Sequence, residues 1–354
     1  MDIKIEKRKE LKEKPNQSDL GFGKYFTDHM FLMDWDKDKG WHDQRIVPYG
    51  PMLLNPAMMV LHYAQETFEG LKAYKNESGD ILLFRPEMNA RRMINSNKRL
   101  CMPEIPEDMF VECVEAIVKV DQDWIPTLPG TSLYIRPFCF ASSDGVGVHA
   151  ADHYTFCIIL SPVGSYYPTG LSPVKIWVED EYVRAVKGGT GFTKCGGNYA
   201  TSIIAQEKAH VRGYNQVLWL DGIHRKYIEE VGTMNVMFKI AGKIVTPPIE
   251  GTILAGVTRD SMITVLKDKG YVVEERKISI DELIEAHKDG TLEEAFGTGT
   301  AAVITPIGEL CYKEKKMVIN DFEIGEVSQM LYDTLTGIQT GKLEDPHHFT
   351  HPVK

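Results

Sequence analysis

A stretch near the middle of the chain, Gly164-Ser165-Tyr166-Tyr167-Pro168-Thr169-Gly170, limits the fold more than any other feature. Glycine and proline end regular structure on both sides of it, glycine through conformational freedom and proline through its missing N–H. The 354 residues therefore divide into two portions of domain size, since a single small domain could not hold them. We expect a small N-terminal α/β domain over residues 1–168, a linker over 169–182 and a large C-terminal α/β domain over 183–354.

Both portions mix strand and helix patterns. Residues 1–20 are polar and expected to fray in part, and 21–56 read as loop-rich, with Trp35, Trp41, Pro48, Gly50 and Pro51. Residues 58–71 read as helix and 81–84 as a short strand. Pro86 suits a first helical turn and opens a helix over 86–100. Val111, Val114, Ile117 and Val118 share one face of a second helix, 107–124. Segments 132–140 and 155–159 are strand-like. Beyond the break we expect strands at 174–178 and 216–220, a helix at 198–212, and a hairpin whose strands, 235–240 and 243–245, turn at Ala241-Gly242. Helices at 258–269, 280–289 and 326–339 and a strand at 271–276 follow. The whole reads as α/β of the α+β type, in two mixed domains.

The net charge of −10 argues against general nucleic-acid binding, which depends on Lys and Arg neutralising phosphates. The cysteines Cys101, Cys113, Cys139, Cys157, Cys195 and Cys311 form no C-x-x-C pair and lack zinc-ligand spacing, so reduced thiols and a cytoplasmic setting are expected, with Cys195 structural. Residues 1–14 carry both charge signs, unlike a signal or transit peptide, and the charge run within them reads as a solvated face. The uncharged run 154–174 is interrupted by Pro162, Pro168 and Pro173 and does not read as membrane-spanning. His347, His348 and His351 read as a solvated tail, and His149, Asp152 and His153 as a loop, so no metal site is expected.

Chemistry concentrates in four segments. Lys194 stands between two glycine-rich clusters in Lys187-Gly188-Gly189-Thr190-Gly191-Phe192-Thr193-Lys194-Cys195-Gly196-Gly197-Asn198-Tyr199, where it is either a Schiff-base lysine at a cleft or part of a phosphate-binding or surface loop. Glu230, in Glu229-Glu230-Val231-Gly232-Thr233-Met234-Asn235, is either a partner for a cofactor's ring nitrogen or an ordinary acid before a strand. Leu254-Ala255-Gly256-Val257-Thr258-Arg259-Asp260 opens a helix whose first N–H groups suit a phosphate, and plain capping by Thr258 explains it equally well. Phe296-Gly297-Thr298-Gly299-Thr300-Ala301-Ala302 is a small-residue turn that lets amides approach an anion.

In this order the four segments resemble the branched-chain aminotransferases, a fold-type IV, D-amino-acid-aminotransferase-like family of pyridoxal-phosphate enzymes. The resemblance runs from Gly21-Phe22-Gly23-Lys24-Tyr25-Phe26 through Thr67-Phe68-Glu69-Gly70-Leu71-Lys72-Ala73 to Thr336-Gly337-Ile338-Gln339-Thr340-Gly341. It implies pyridoxal 5'-phosphate as cofactor and reversible ping-pong transfer of an amino group from L-leucine, L-isoleucine or L-valine to 2-oxoglutarate, giving the branched-chain 2-oxo acid and L-glutamate. It also implies a homodimer in which small-domain loops complete the neighbour's pocket, and a cofactor held between the domains.

By the same resemblance Lys194 forms the internal aldimine and moves the substrate proton, Glu230 pairs with the pyridine nitrogen, and Tyr199 meets the phenolic oxygen. Arg92, rather than its neighbour Arg91, grips the phosphate together with Val257, Thr258 and Thr300, and Thr233 lies near the cofactor. Thr300 and Ala301 present amides to the substrate carboxylate. Phe68, Tyr63, Tyr134, Val148 and Tyr166 form an apolar side-chain pocket, worth roughly 0.8 kcal/mol per buried CH₂. Arg136 matches the arginine that meets the distal carboxylate of 2-oxoglutarate or glutamate. That match and the full-length N-terminal match favour the branched-chain reading over a D-amino-acid aminotransferase or an aminodeoxychorismate-lyase-like enzyme, and the presence of Lys194, Tyr199 and Glu230 argues against a non-enzymatic cofactor-binding homologue. Where some animal members carry a redox C-x-x-C pair, this chain has Ala302 and Thr305, so no thiol switch is expected there.

Overall fold

The computed structural model describes residues 2–164 and 171–354, and Tyr166, with most of the central break, lies outside the described residues. The chain forms two compact units. One comprises Met1–Pro168, Thr193–Gly196 and Ile338–Lys354, the other Thr169–Phe192 and Gly197–Gly337. The segments 193–196 and 338–354 thus group with N-terminal residues rather than with the C-terminal domain to which the sequence reading allotted them.

The first unit is built on one sheet. Its strands are β1 (Lys4–Ile5), β2 (His29–Asp36), β3 (Gly40–Pro48), β4 (Glu66–Phe68), β5 (Leu71–Lys75), β6 (Ile81–Phe84), β7 (Ser132–Ala141) and β8 (His153–Val163). They run in the order β1-β3-β2-β8-β7-β5-β6, with β4 beside β7 and a last strand, Thr350–Pro352, beside β6. All these pairings are antiparallel except β1 with β3. Three helices join them: α1 (Val60–Tyr63), α2 (Pro86–Arg99) and α3 (Glu107–Val120). Acids in the first turn and bases in the last turn of α2 and α3 oppose the helix dipole. Phe110, Val114 and Ile117 of α3 and Met93 of α2 bury against Phe31, Leu83, Ile135 and Phe156, which leaves the other face of the sheet to carry polar and aromatic groups.

Five expectations fail, in whole or in part, in this unit. Residues 21–56 are not loop throughout but contain the hairpin β2–β3, whose Met- and Trp-rich strands carry few β-branched residues to announce them. The helix expected over 58–71 stops at Tyr63 because Ala64 turns left-handed at φ 49°, after which β4 pairs with Phe138–Phe140 and ladder bonds replace helical ones. The N-terminal residues do not fray: β1 pairs with β3, and Lys12 Nζ donates to the carbonyl of Thr27 at 2.7 Å. Nor is the histidine tail solvated throughout: His348 is exposed, but His351 Nε2 lies 2.6 Å from Glu115 Oε1 beside the β6 pairing. His153, expected in a loop, opens β8.

The second unit contains β9 (Val174–Glu179), β10 (Gln216–Leu220), β11 (Ile228–Val231), β12 (Met234–Ile240), β13 (Lys243–Thr246), β14 (Val273–Glu275), β15 (Leu292–Gly299), β16 (Val303–Tyr312) and β17 (Lys315–Val318). Strands β11-β10-β9-β16-β15-β12 pair in sequence, and β12 also pairs with β11, so six strands close into a ring. Helices α4 (Gly196–Ala200), α5 (Ile203–Val211), α6 (Val257–Asp268), α7 (Ile280–Lys288) and α8 (Glu326–Gln339) accompany them. The helix expected over 198–212 is divided into α4 and α5. The turn at Ala241-Gly242 forms with both residues at positive φ, 48° and 76°, as a two-residue hairpin with right-handed strand twist requires. Ser279 caps α7 through the backbone N–H of Glu282. Among the described residues no helix is long and apolar enough to cross a membrane.

Candidate active site

In the first unit, Lys194 is tied to the sheet through its backbone. Its carbonyl accepts from the N–H of Phe68 at 3.0 Å, and its own N–H donates to Ser96 Oγ of α2 at 3.0 Å. The ammonium lies 4.8 Å from the centre of the Phe68 ring. Arg136, on β7, lies 4.7 Å from the same ring, and its Nη2 donates to Tyr134 Oη at 3.0 Å. Tyr134 and Arg136 are two residues apart on one strand and so share a face of the sheet. Gly70 makes room for this arrangement, because a Cβ there would collide with Tyr134 Oη. Arg136 Nε is buried with no hydrogen-bond partner among the described residues, as expected of a guanidinium that awaits an anion.

Behind Lys194 stands a buried ion pair. Arg92 of α2 donates from Nε and Nη2 to the two oxygens of Glu69, each at 2.7 Å, and Asn89 Nδ2 adds a third bond at 2.8 Å. Burial by itself would raise the Glu69 carboxyl, but Arg92, Lys194 and Asn89 together hold it below the ordinary glutamate range. Glu66 goes the other way: burial pushes it up against the opposing Gly196 N–H and Arg136. On β5, burial lowers Lys72 to about 8, and the residue is paired in register with Tyr134.

In the second unit, Glu230 is buried on β11. Its Oε1 accepts from the N–H of Leu254 at 2.7 Å, and Arg184 Nε lies 3.3 Å from its Oε2. Asn235, opposite Glu230 in the β11–β12 ladder, donates to the carbonyl of Leu254 at 2.9 Å. The two side chains pin the 254–256 turn, and Gly256 is needed because a Cβ would strike Asn235 Oδ1. Helix α6 then begins at Val257 with no side-chain cap bond, which leaves its first-turn amides to water or an anion. Thr258 is buried at that end, and Thr298 Oγ1, across the ladder from Asn235, is buried without a partner among the described residues. These groups of the second unit fit a phosphorylated, ring-bearing cofactor: amides for an anion and a carboxylate for a ring proton.

A model of the amino-transferase class IV family matches residues 66–310, a span that holds every one of these groups. The chain belongs to that family, in its branched-chain group. It is 57% identical over 351 residues to branched-chain-amino-acid aminotransferase 2 of Bacillus subtilis (strain 168), covering 99% of this chain and 97% of that protein. The crystal structure of a branched-chain aminotransferase from the archaeon Thermoproteus uzoniensis with norvaline superposes with a TM-score of 0.76 at 25% identity, covering 92% of this chain and all of that one. The branched-chain aminotransferase of Thermobaculum terrenum in its PLP form shares the fold, with a TM-score of 0.74 at 22% identity over 92% and 98% of the two chains.

The aminotransferase fold gathers Lys194, Phe68, Tyr134, Arg136 and Arg92 in the first unit. Tyr199, Glu230, Thr233, Val257, Thr258, Thr300 and Ala301 fall in the second. Thr233 is exposed beside the left-handed Gly232, and Thr300 and Ala301 follow β15 at the turn into β16. Tyr63 and Val148 stand apart, 37% and 83% exposed, with Tyr63 Oη donating to the carbonyl of Val146. Sequence reasoning passed over Glu69 and Arg184. Glu69 was findable, being an acid inside Phe68-Glu69-Gly70-Leu71, an apolar run that must bury it and therefore pair it. Arg184 had no comparable signal.

Proposed function

We propose that this aminotransferase transfers the amino group of L-leucine, L-isoleucine or L-valine to 2-oxoglutarate with pyridoxal 5'-phosphate, as a cytoplasmic homodimer. The observation that carries the reading is the face shared by Phe68, Tyr134 and Arg136 beside Lys194, which offers aromatic surface to an aliphatic side chain and a guanidinium to a distal carboxylate. One site with both features accepts both substrates of the exchange.

Bound pyridoxal phosphate supplies the electron sink and carries the amino group between half-reactions. The chain supplies the rest. Lys194 Nζ holds the cofactor and moves the proton at the substrate Cα. Glu230 stabilises a proton on the ring nitrogen, and Tyr199 steadies the phenolic oxygen. Arg92, oriented by its fork to Glu69, takes the phosphate with Thr258, Thr300 and the Val257 amide, and Thr233 lies near the cofactor. Thr300 and Ala301 receive the substrate carboxylate. Tyr63, Val148 and Tyr166 complete the side-chain pocket, and the exposure of the first two suits residues that serve the neighbouring protomer.

The test is the visible spectrum of the purified protein supplied with pyridoxal phosphate. L-leucine should bleach the bound cofactor's absorbance and 2-oxoglutarate should restore it, while a Lys194→Ala variant should do neither at a comparable rate. A protein that binds no cofactor overturns the reading, and a spectrum indifferent to leucine but responsive to another amine overturns its substrate.

A further inference from the structure

An open cavity of about 120 Å³ lies in the second unit. Glu229 lines it. This residue precedes Glu230 on β11, so the two side chains point to opposite faces of the strand and Glu229 faces away from the Glu230 carboxyl. Glu229 is 6% exposed, and its Oε2 is buried with no hydrogen-bond partner among the described residues. A carboxyl oxygen left so within a lined cavity is costly unless a ligand bonds it.

The other acids of the cavity are already engaged. Asp221 accepts from the backbone N–H groups of Ile223, His224, Lys226 and Tyr227 at 2.7–3.1 Å. Glu250 lies 3.6 Å from Lys277 Nζ. Glu229 is therefore the acid left to receive a cation. Lys187 and Lys277, both exposed, also line it. Ile223, Ile253 and Pro247 add aliphatic surface to the same lining.

We propose that this cavity binds a free α-amino acid with an aliphatic side chain, its ammonium on Glu229, its carboxylate toward Lys187, and its side chain on Ile223, Ile253 and Pro247. A lone amine would leave Lys187 unanswered, and a lone carboxylate would face Glu229. Burial raises the Glu229 carboxyl above its ordinary range, with the Thr252 side chain and Arg184 opposing, so an arriving ammonium also draws the proton off this group. The site is separate from the groups assigned above to catalysis, and the proposal stands whether or not the substrates proposed there are correct.

Equilibrium dialysis of radiolabelled L-leucine tests it on holoenzyme reduced with borohydride, which blocks turnover at Lys194. We expect one saturable leucine per chain. Isoamylamine and 4-methylpentanoate, each lacking one charge, should compete at least tenfold less well than unlabelled leucine. Affinity should fall tenfold or more in Glu229→Gln, and several-fold in Lys187→Ala, whose exposed position leaves folding undisturbed. Absence of saturable binding, or binding that survives both substitutions unchanged, overturns the proposal.

Discussion

Two buried glutamates, one in each unit, meet arginine in different ways. Glu69 is saturated: a two-pronged fork from Arg92, a bond from Asn89 and the N–H of Gly70 at 3.2 Å occupy both its oxygens. Glu230 accepts from the backbone N–H of Leu254 and faces Arg184 at 3.3 Å, and Arg184 Nε has no hydrogen-bond partner among the described residues. A saturated buried pair serves as a clamp, because removing either partner strands a charge in a poor dielectric. A pair whose arginine nitrogen is left without a hydrogen bond keeps capacity for a ligand. Both motifs hold a carboxylate in the interior.

The sharpest way to break this comparison is Glu230→Gln. Turnover should fall on the order of 10²–10³-fold, the scale of a lost electrostatic stabiliser, with a smaller loss of stability than Glu69→Gln, because Arg184 Nη2 keeps its bonds to the carbonyls of Gly191 and Thr252. Glu69→Gln should show the reverse emphasis, losing about 3–5 kcal/mol of stability through the stranded Arg92. Equal losses of stability in the two variants would erase the distinction. The Glu69 carboxyl also makes a pH statement. Its folded value lies below the ordinary 4.5, so its contribution is present above that pH and is lost as pH falls through the folded value. Acid unfolding curves of wild type and Glu69→Gln should therefore converge on the acid side.

Lys72 sharpens the contrast from the alkaline side. Burial lowers it from 10.5 to about 8, so the unfolded chain binds more protons between those values and stability rises with pH across that window. The rise is on the order of 3 kcal/mol at most and should vanish in Lys72→Met, as read from denaturation at pH 7.5 and 10.5. The smallest effect expected is that of Gly70→Ala. Its methyl would displace Tyr134 Oη and loosen the Arg136 contact, at about 1–3 kcal/mol, seen as a raised KM for 2-oxoglutarate with less change for leucine. An unaltered KM would remove Tyr134 from acid recognition.

Segments whose local chemistry and tertiary role agree were readable in advance. The proline at the start of α2, the apolar face of α3 and the Ala241-Gly242 turn each encode their shape within a few residues, and each formed as expected. Of the candidate site, the order of its four motifs told the family. It did not tell that Arg92 is clamped by Glu69, or that Arg184 reaches Glu230 from 46 residues away in the chain.

What the sequence determined by itself is what glycine, proline and periodicity dictate locally, together with the family. Only the tertiary structure decided the rest. The β2–β3 hairpin, the strand made of Glu66–Phe68 and the C-terminal strand beside β6 exist because partners distant in sequence supply their hydrogen bonds. The same holds for charge: whether a buried glutamate becomes a clamp, a cofactor partner or the floor of a cavity depends on which donors the fold brings within 3 Å, and no local pattern records them.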